Sequence, residues 1–139
     1  MDKLVEMLRR HEGVKMFAYK DHLGYTTIGC GRCVEEGVGL GLSYEEINHL
    51  LKNDIARVKG ELNSEYSWFS DLDEPRQEAL INISFNIGAT RLRKFVLALS
   101  AMEDGNYSKA AREFMDSKWS GQVGERASEL CEIIRSGSY

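Results

Sequence analysis

No stretch of this 139-residue sequence reaches about 18 consecutive apolar residues, so no helix of it is suited to cross a bilayer. Nor does it open on the basic tip and apolar core of a secretory signal. MDKLVEMLRR mixes acids with bases along an amphipathic helix, and the expectation is a chain without a leader or signal anchor of its own. Positive charge is not in excess: 18 Lys and Arg stand against 22 Asp and Glu, a net charge of −4. That balance argues against a nucleic-acid partner, which would call for a basic face. Bases do concentrate locally at Arg91, Arg93 and Lys94. Cysteine is scarce and odd in number, so Cys30, Cys33 and Cys131 cannot close a disulfide framework. Cys30-Gly-Arg-Cys33 does match C-x-x-C. A redox pair, however, wants a helix N-terminus after its first cysteine, and a zinc site wants two more ligands at matching spacing. Neither a second C-x-x-C nor an H-x3-H pattern occurs, and the three read as free thiols in a reducing compartment, with no metal and no cofactor. Repeats, linkers and low-complexity tracts are also missing, and the length suits one domain with a sizeable core.

What the chain does have is concentrated between His11 and Arg32, HEGVKMFAYKDHLGYTTIGCGR. Leu4, Met7, Leu8 and His11 recur at helical spacing, with Asp2 placed to cap the start and Gly13 to stop the end. Glu12 then sits in the last turn, against the negative end of the helix dipole. A carboxylate there is disfavoured by roughly 0.3–1 kcal/mol. The same field favours the protonated acid, the state a general acid needs. The alternative is a solvated Glu that happens to end a helix.

Residues 14–21 alternate as a strand, and Tyr25–Ile28 returns as a second one. If His22-Leu23-Gly24 is a three-residue loop, Asp21 opposes Tyr25 and Thr27 opposes Tyr19. Asp21 and Thr27 are then diagonal neighbours on one face, placed to hold a water between them. A different loop length would reverse the parity. Taken singly, Asp21 also reads as a turn former and Thr27 as a strand former.

E-x8-D-x5-T followed by I-G-x-G resembles the phage lysozymes of the T-even type, glycoside hydrolase family 24. So do MLRRHEG, YKDHLGYTTIGCG, ALINISFNIG, SKWSGQVGERA and IIRSGSY, in the family's order and over nearly the whole chain. The resemblance puts Glu12, Asp21 and Thr27 on the family's catalytic Glu, Asp and Thr. It associates Gly31, Phe85, Asn86 and Arg126 with substrate binding; Asn86 stands where the family has a Gln, and Arg126 matches the Arg that faces the catalytic Glu. Trp119 matches a tryptophan that closes the core. Arg32 departs from the pattern, since the family commonly has a His there that supports the fold.

Further along, CVEEGVGLGL (33–42) reads as a third short strand and a loop closing a small sheet. Ser43-Tyr-Glu-Glu46 is a capping box opening a long helix, with Ile47, Leu50, Leu51, Ile55, Val58 and Leu62 as its apolar stripe. Asp73 caps a helix carrying Pro75 in its first turn and stopping at Gly88; from Ala79 to Ile87 it is nearly apolar all round and reads as the buried centre of its lobe. Asn82 and Asn86 interrupt it, and buried amides need partners. Three further short helices follow from Thr90 on.

The expected fold is therefore α+β, mainly helical: a lysozyme-like pair of lobes flanking a cleft. The β-containing lobe spans about 13–42, a connecting helix about 43–62, and the helical lobe about 63–139 together with the N-terminal helix. The resemblance implies hydrolysis of the β-1,4 bond between N-acetylmuramic acid and N-acetylglucosamine in bacterial peptidoglycan. Glu12 would protonate the leaving oxygen, and Asp21 with Thr27 would hold water, an arrangement that fits inversion. It further implies a monomer that inserts in no membrane and stays in the host cytoplasm until released to the wall. The alternatives are a lytic transglycosylase, against which Asp21 and Thr27 speak, and an inactive wall-binding module, which would be expected to have lost Glu12 or Asp21.

Overall fold

The computed structural model describes residues 1–139. Helix α1 runs Asp2–Glu12 and ends where the Gly13 N–H bonds the Arg9 carbonyl. The cap at its start differs from expectation: Met1 occupies that position, Asp2 is already helical, and no side chain caps the turn. Strands β1 (Lys15–Lys20), β2 (Thr26–Gly29) and β3 (Arg32–Cys33) form an antiparallel sheet in the order β1-β2-β3. Lys20 pairs with Thr26 and Tyr19 with Thr27, and the Asp21 N–H bonds the Tyr25 carbonyl. The three-residue loop 22–24 is thus present, with Gly24 at φ +86°, a conformation that side chains other than glycine resist. The third strand begins one residue earlier than the sequence pattern indicates.

Helix α2 (Tyr44–Glu65) opens on the expected capping box: the Glu46 N–H bonds Ser43 Oγ at 3.1 Å, and the Ser43 N–H bonds Glu46 Oε1 at 2.9 Å. A turn of 3-10 helix at Phe69–Asp71 leads to α3 (Glu74–Ile87), whose cap is Asp73. Five helices follow rather than three: α4 (Ala89–Leu92), α5 (Val96–Glu103), α6 (Tyr107–Met115), α7 (Lys118–Val123) and α8 (Glu125–Ser136). One extra helix comes from a break at Arg93–Phe95 within a run that the pattern reads as continuous; the other, α7, forms in a segment between the second and third expected helices.

Two compact units make up the chain, Met1–Leu50 and Leu51–Tyr139, and the division falls within α2. In the second unit α3, α5, α6 and α8 pack around Phe69, Leu80, Ile83, Phe114, Trp119 and Ile134, all essentially without solvent contact. Phe114 lies against Phe95 and meets Trp119 edge to face, with ring centroids 5.3 and 6.3 Å away. In the first unit the only buried residue is Thr27; the apolar stripe of α1 and the first half of the α2 stripe stay substantially exposed. Periodicity identifies an apolar face but does not say how much of it is covered.

Candidate active site

Glu12, the last residue of α1, lies against the backbone of Gly31. A Cβ built on Gly31 would fall 2.8 Å from Glu12 Oε2 and 3.0 Å from its Cδ. Gly31 also sits at φ +77°, a backbone conformation that favours glycine, and a side chain there would displace the Glu12 carboxyl. It closes the loop Gly29-Cys30-Gly31 between the paired residues Ile28 and Arg32. That loop lines an open cavity of about 770 Å³, which Lys15, Met16, Val34 and Leu42 also line. Of the sequence-predicted groups, Glu12 and Gly31 are therefore brought together within the first unit.

Asp21 and Thr27 sit on the hairpin in the predicted register. Asp21 Oδ1 accepts the N–H groups of Leu23 and Tyr25, each at 2.9 Å, so the residue does form its own turn. The Tyr25 N–H, foremost among these contacts, holds the Asp21 carboxyl below the usual carboxylate range. Thr27 is 3% exposed, and its hydroxyl donates to the Tyr25 carbonyl at 3.0 Å. With its proton committed, Thr27 Oγ1 is left as an acceptor.

Arg32 has found partners of its own. Its Nη1 donates to the Gly41 carbonyl at 3.0 Å and to Glu46 Oε1 at 2.8 Å. Bonded by that guanidinium and by the Ser43 N–H, the Glu46 carboxyl is pulled down to about 2. The departure from the family pattern thus carries a tether of its own between β3 and the start of α2.

In the second unit, Arg126 on α8 grips Asn82 on α3: Nε and Nη2 reach Asn82 Oδ1 at 3.0 and 2.6 Å. Leu51, Ile55, Glu78, Ile81 and Phe85 join this pair around a cavity of about 500 Å³, with four apolar side chains beside the charged Glu78 and Arg126. Asn86 does not line it. Its Oδ1 accepts from Trp119 Nε1 at 2.8 Å, tying α3 to α7. The reading of α3 as the buried centre of its lobe holds for one side only: Asn82, Phe85 and Asn86 form an exposed strip, and the six buried residues lie away from it. The amides have the partners expected of them, yet they are exposed.

Two features escaped the sequence reading. The seat for Arg126 at Asn82 joins residues 44 apart, and no local pattern signals such a pair. The Arg32–Glu46 bond joins two residues the sequence singles out separately, one as a departure and one as a cap. The cysteines are free: Cys30 is exposed, Cys33 half-buried and Cys131 buried, and burial pushes the Cys131 thiol up to about 11.

The sequence profile of the family described as phage lysozyme matches residues 9–132. A probable T4-type lysozyme 1 of Dictyostelium discoideum is 27% identical over 99% of this chain and 96% of its own length. An endolysin of Acyrthosiphon pisum secondary endosymbiont phage 1 is 32% identical over 96% of this chain and 89% of its own. The pre-baseplate central spike protein Gp5 of Enterobacteria phage T4 is 30% identical over 97% of this chain, which spans only 28% of that longer protein. No helix is long and apolar enough to cross a membrane. The likeness runs through both units, and the chain belongs to the phage lysozyme family of peptidoglycan-degrading glycoside hydrolases.

Proposed function

We propose that the protein is a muramidase, cleaving the β-1,4 bond from N-acetylmuramic acid to N-acetylglucosamine with inversion, and that it serves host lysis by a phage. The observation that carries this reading is the contact of the Glu12 carboxyl with the Cβ-free backbone of Gly31. An acid lying beside the backbone of a glycine has one side free of side chains, and a sugar ring needs that room. Glu12 gives its proton to the leaving oxygen. A water donates one hydrogen to Thr27 Oγ1, which can only accept, and the other to Asp21 Oδ2, since Oδ1 is occupied by the turn. Its lone pair attacks the anomeric carbon while its proton passes to Asp21 Oδ2, whose negative charge stabilises the oxocarbenium-like centre up to that point. Inverting enzymes keep their carboxyls roughly 6.5–9.5 Å apart to leave space for that water. Gly31, Phe85, Asn86 and Arg126 are the groups assigned to hold the glycan. The enzyme acts as a monomer and waits in the host cytoplasm until it reaches the wall.

Digestion of purified peptidoglycan, with the sugar ends read by mass spectrometry, tests the bond. Reducing muramic ends support the reading; reducing glucosamine ends or anhydro-muramic ends contradict it. Proton NMR of the first product resolves inversion from retention. Glu12→Gln is expected to leave less than about 1% of wall clearing, the scale of loss for a general acid. Its thermal midpoint should hold or rise, because the carboxylate stands against its helix dipole.

A further inference from the structure

We propose that Arg32 is a positioning residue for Glu12, acting through the backbone of Gly31; this rests on Glu12 being the proton donor. The Glu12 carboxyl lies on the Gly31 backbone so closely that a Cβ would overlap it. A shift of residue 31 therefore changes the backbone surface beside which the acid lies. Gly31 is the last residue of a three-residue loop, and the strand that fixes the loop's far end, β3, is only Arg32–Cys33. Two paired residues and the bond from the Val34 N–H to the Thr26 carbonyl are a short ladder for such a task. The Arg32 side chain adds what the ladder lacks. Its Nη1 joins the Gly41 carbonyl and Glu46 Oε1, and the same Oε1 accepts the Ser43 N–H of the capping box. Arg32 thus ties the loop end to Gly41 and to Glu46 in the first turn of α2, and Ser43 meets Arg32 at the same carboxylate oxygen.

The Arg32 and Glu46 side chains are each 39% exposed. Exposed ion pairs contribute little net stability, so stability alone gives little reason for a three-way junction here. Its effect is geometric. A misplacement of about 1 Å at a reacting group can cost on the order of a hundredfold in rate. The tether fixes residue 31, and residue 31 supplies the backbone beside which the acid lies.

The test is steady-state kinetics on soluble, uncrosslinked glycan strands, beside thermal midpoints, for Arg32→Ala, Arg32→Lys, Glu46→Gln and Glu12→Gln. Arg32→Ala should lower kcat about tenfold, with KM within about twofold and a midpoint only a few degrees lower. Arg32→Lys should recover most of kcat, because both bonds leave a single nitrogen that an ammonium can replace. Glu46→Gln keeps the acceptor for Ser43 and weakens the tether, for a loss of about threefold. Parental kcat in Arg32→Ala, a loss confined to KM, or Arg32→Lys as slow as Arg32→Ala overturns the proposal. Should Arg32→Ala fail to fold, Glu46→Gln decides: a kcat loss at unchanged KM supports the tether, and parental kcat overturns it. An active Glu12→Gln would show instead that the site assignment itself is wrong.

Discussion

Asp21 commits one carboxylate oxygen to its own turn, and Thr27 commits its proton to the Tyr25 carbonyl. In the proposed mechanism each thereby keeps a single face for a shared water, and on that reading their losses should not add. Asp21→Asn retains an acceptor for Leu23 and Tyr25, so the hairpin survives while the charge is lost; activity should fall by about a hundredfold or more. Thr27→Ala removes one bond to the water and should cost about tenfold. The double variant should fall well short of the product of the two. Initial rates of wall clearing for the four proteins measure this, and multiplicative losses would mean that the residues do not serve one water. The register behind this argument was legible from the sequence, because His22-Leu23-Gly24 allows few loops and Gly24 supplies the positive φ. The seat of Arg126 was not, since nothing near Asn82 announces a partner 44 residues on.

Helix ends show the same division. The capping box at Ser43 and the stops at Gly13 and Gly88 could be read because the partners lie within one turn. The exposed strip of α3 could be read only in part, since Asn82 and Asn86 lie one turn apart on it but the apolar Phe85 lies there too. Nor could the end of α8 be foreseen, for it is held by a residue from far upstream. From the first turn of α3, Arg76 sends Nε to the Ile134 carbonyl at 2.7 Å and Nη2 to the Arg135 carbonyl at 3.1 Å. Its Nη1 pairs with Asp73 at 3.0 Å, and its guanidinium covers the Tyr107 ring at 3.7 Å. With the side chain only 15% exposed, Arg76→Ala should lower unfolding free energy by roughly 2–3 kcal/mol. Arg76→Lys should recover only part of this, because one ammonium cannot reproduce the fork. Urea midpoints at a common slope give the comparison, and a loss below about 0.5 kcal/mol in Arg76→Ala would exclude the clamp.

At the scale of the molecule, the buried apolar residues all lie between Val58 and Ile134. Residues 1–50 rest on turns and caps instead, and the carboxylates that make them give their stability a modest sensitivity to protonation. Glu46 falls from an ordinary 4.5 to about 2 on folding. Its contribution is therefore complete above pH 4.5 and is lost as pH drops through the folded value near 2. Asp21, also lowered, adds to stability in the same direction. Glu46→Gln should be less stable than the parent at pH 6, and the gap should close on acidification; denaturant titrations across this range check it, and a gap independent of pH would contradict the linkage. The three thiols divide along the same line. Cys30 stands open beside Gly31, whereas Cys131 is 4% exposed with its thiol near 11. A maleimide dye thus finds its attachment point a single residue from the glycine that supports Glu12, with no cysteine engineered in. Once Cys30 and Cys33 are blocked, the rate at which Cys131 reacts becomes a stopwatch for the opening of the helical unit around it.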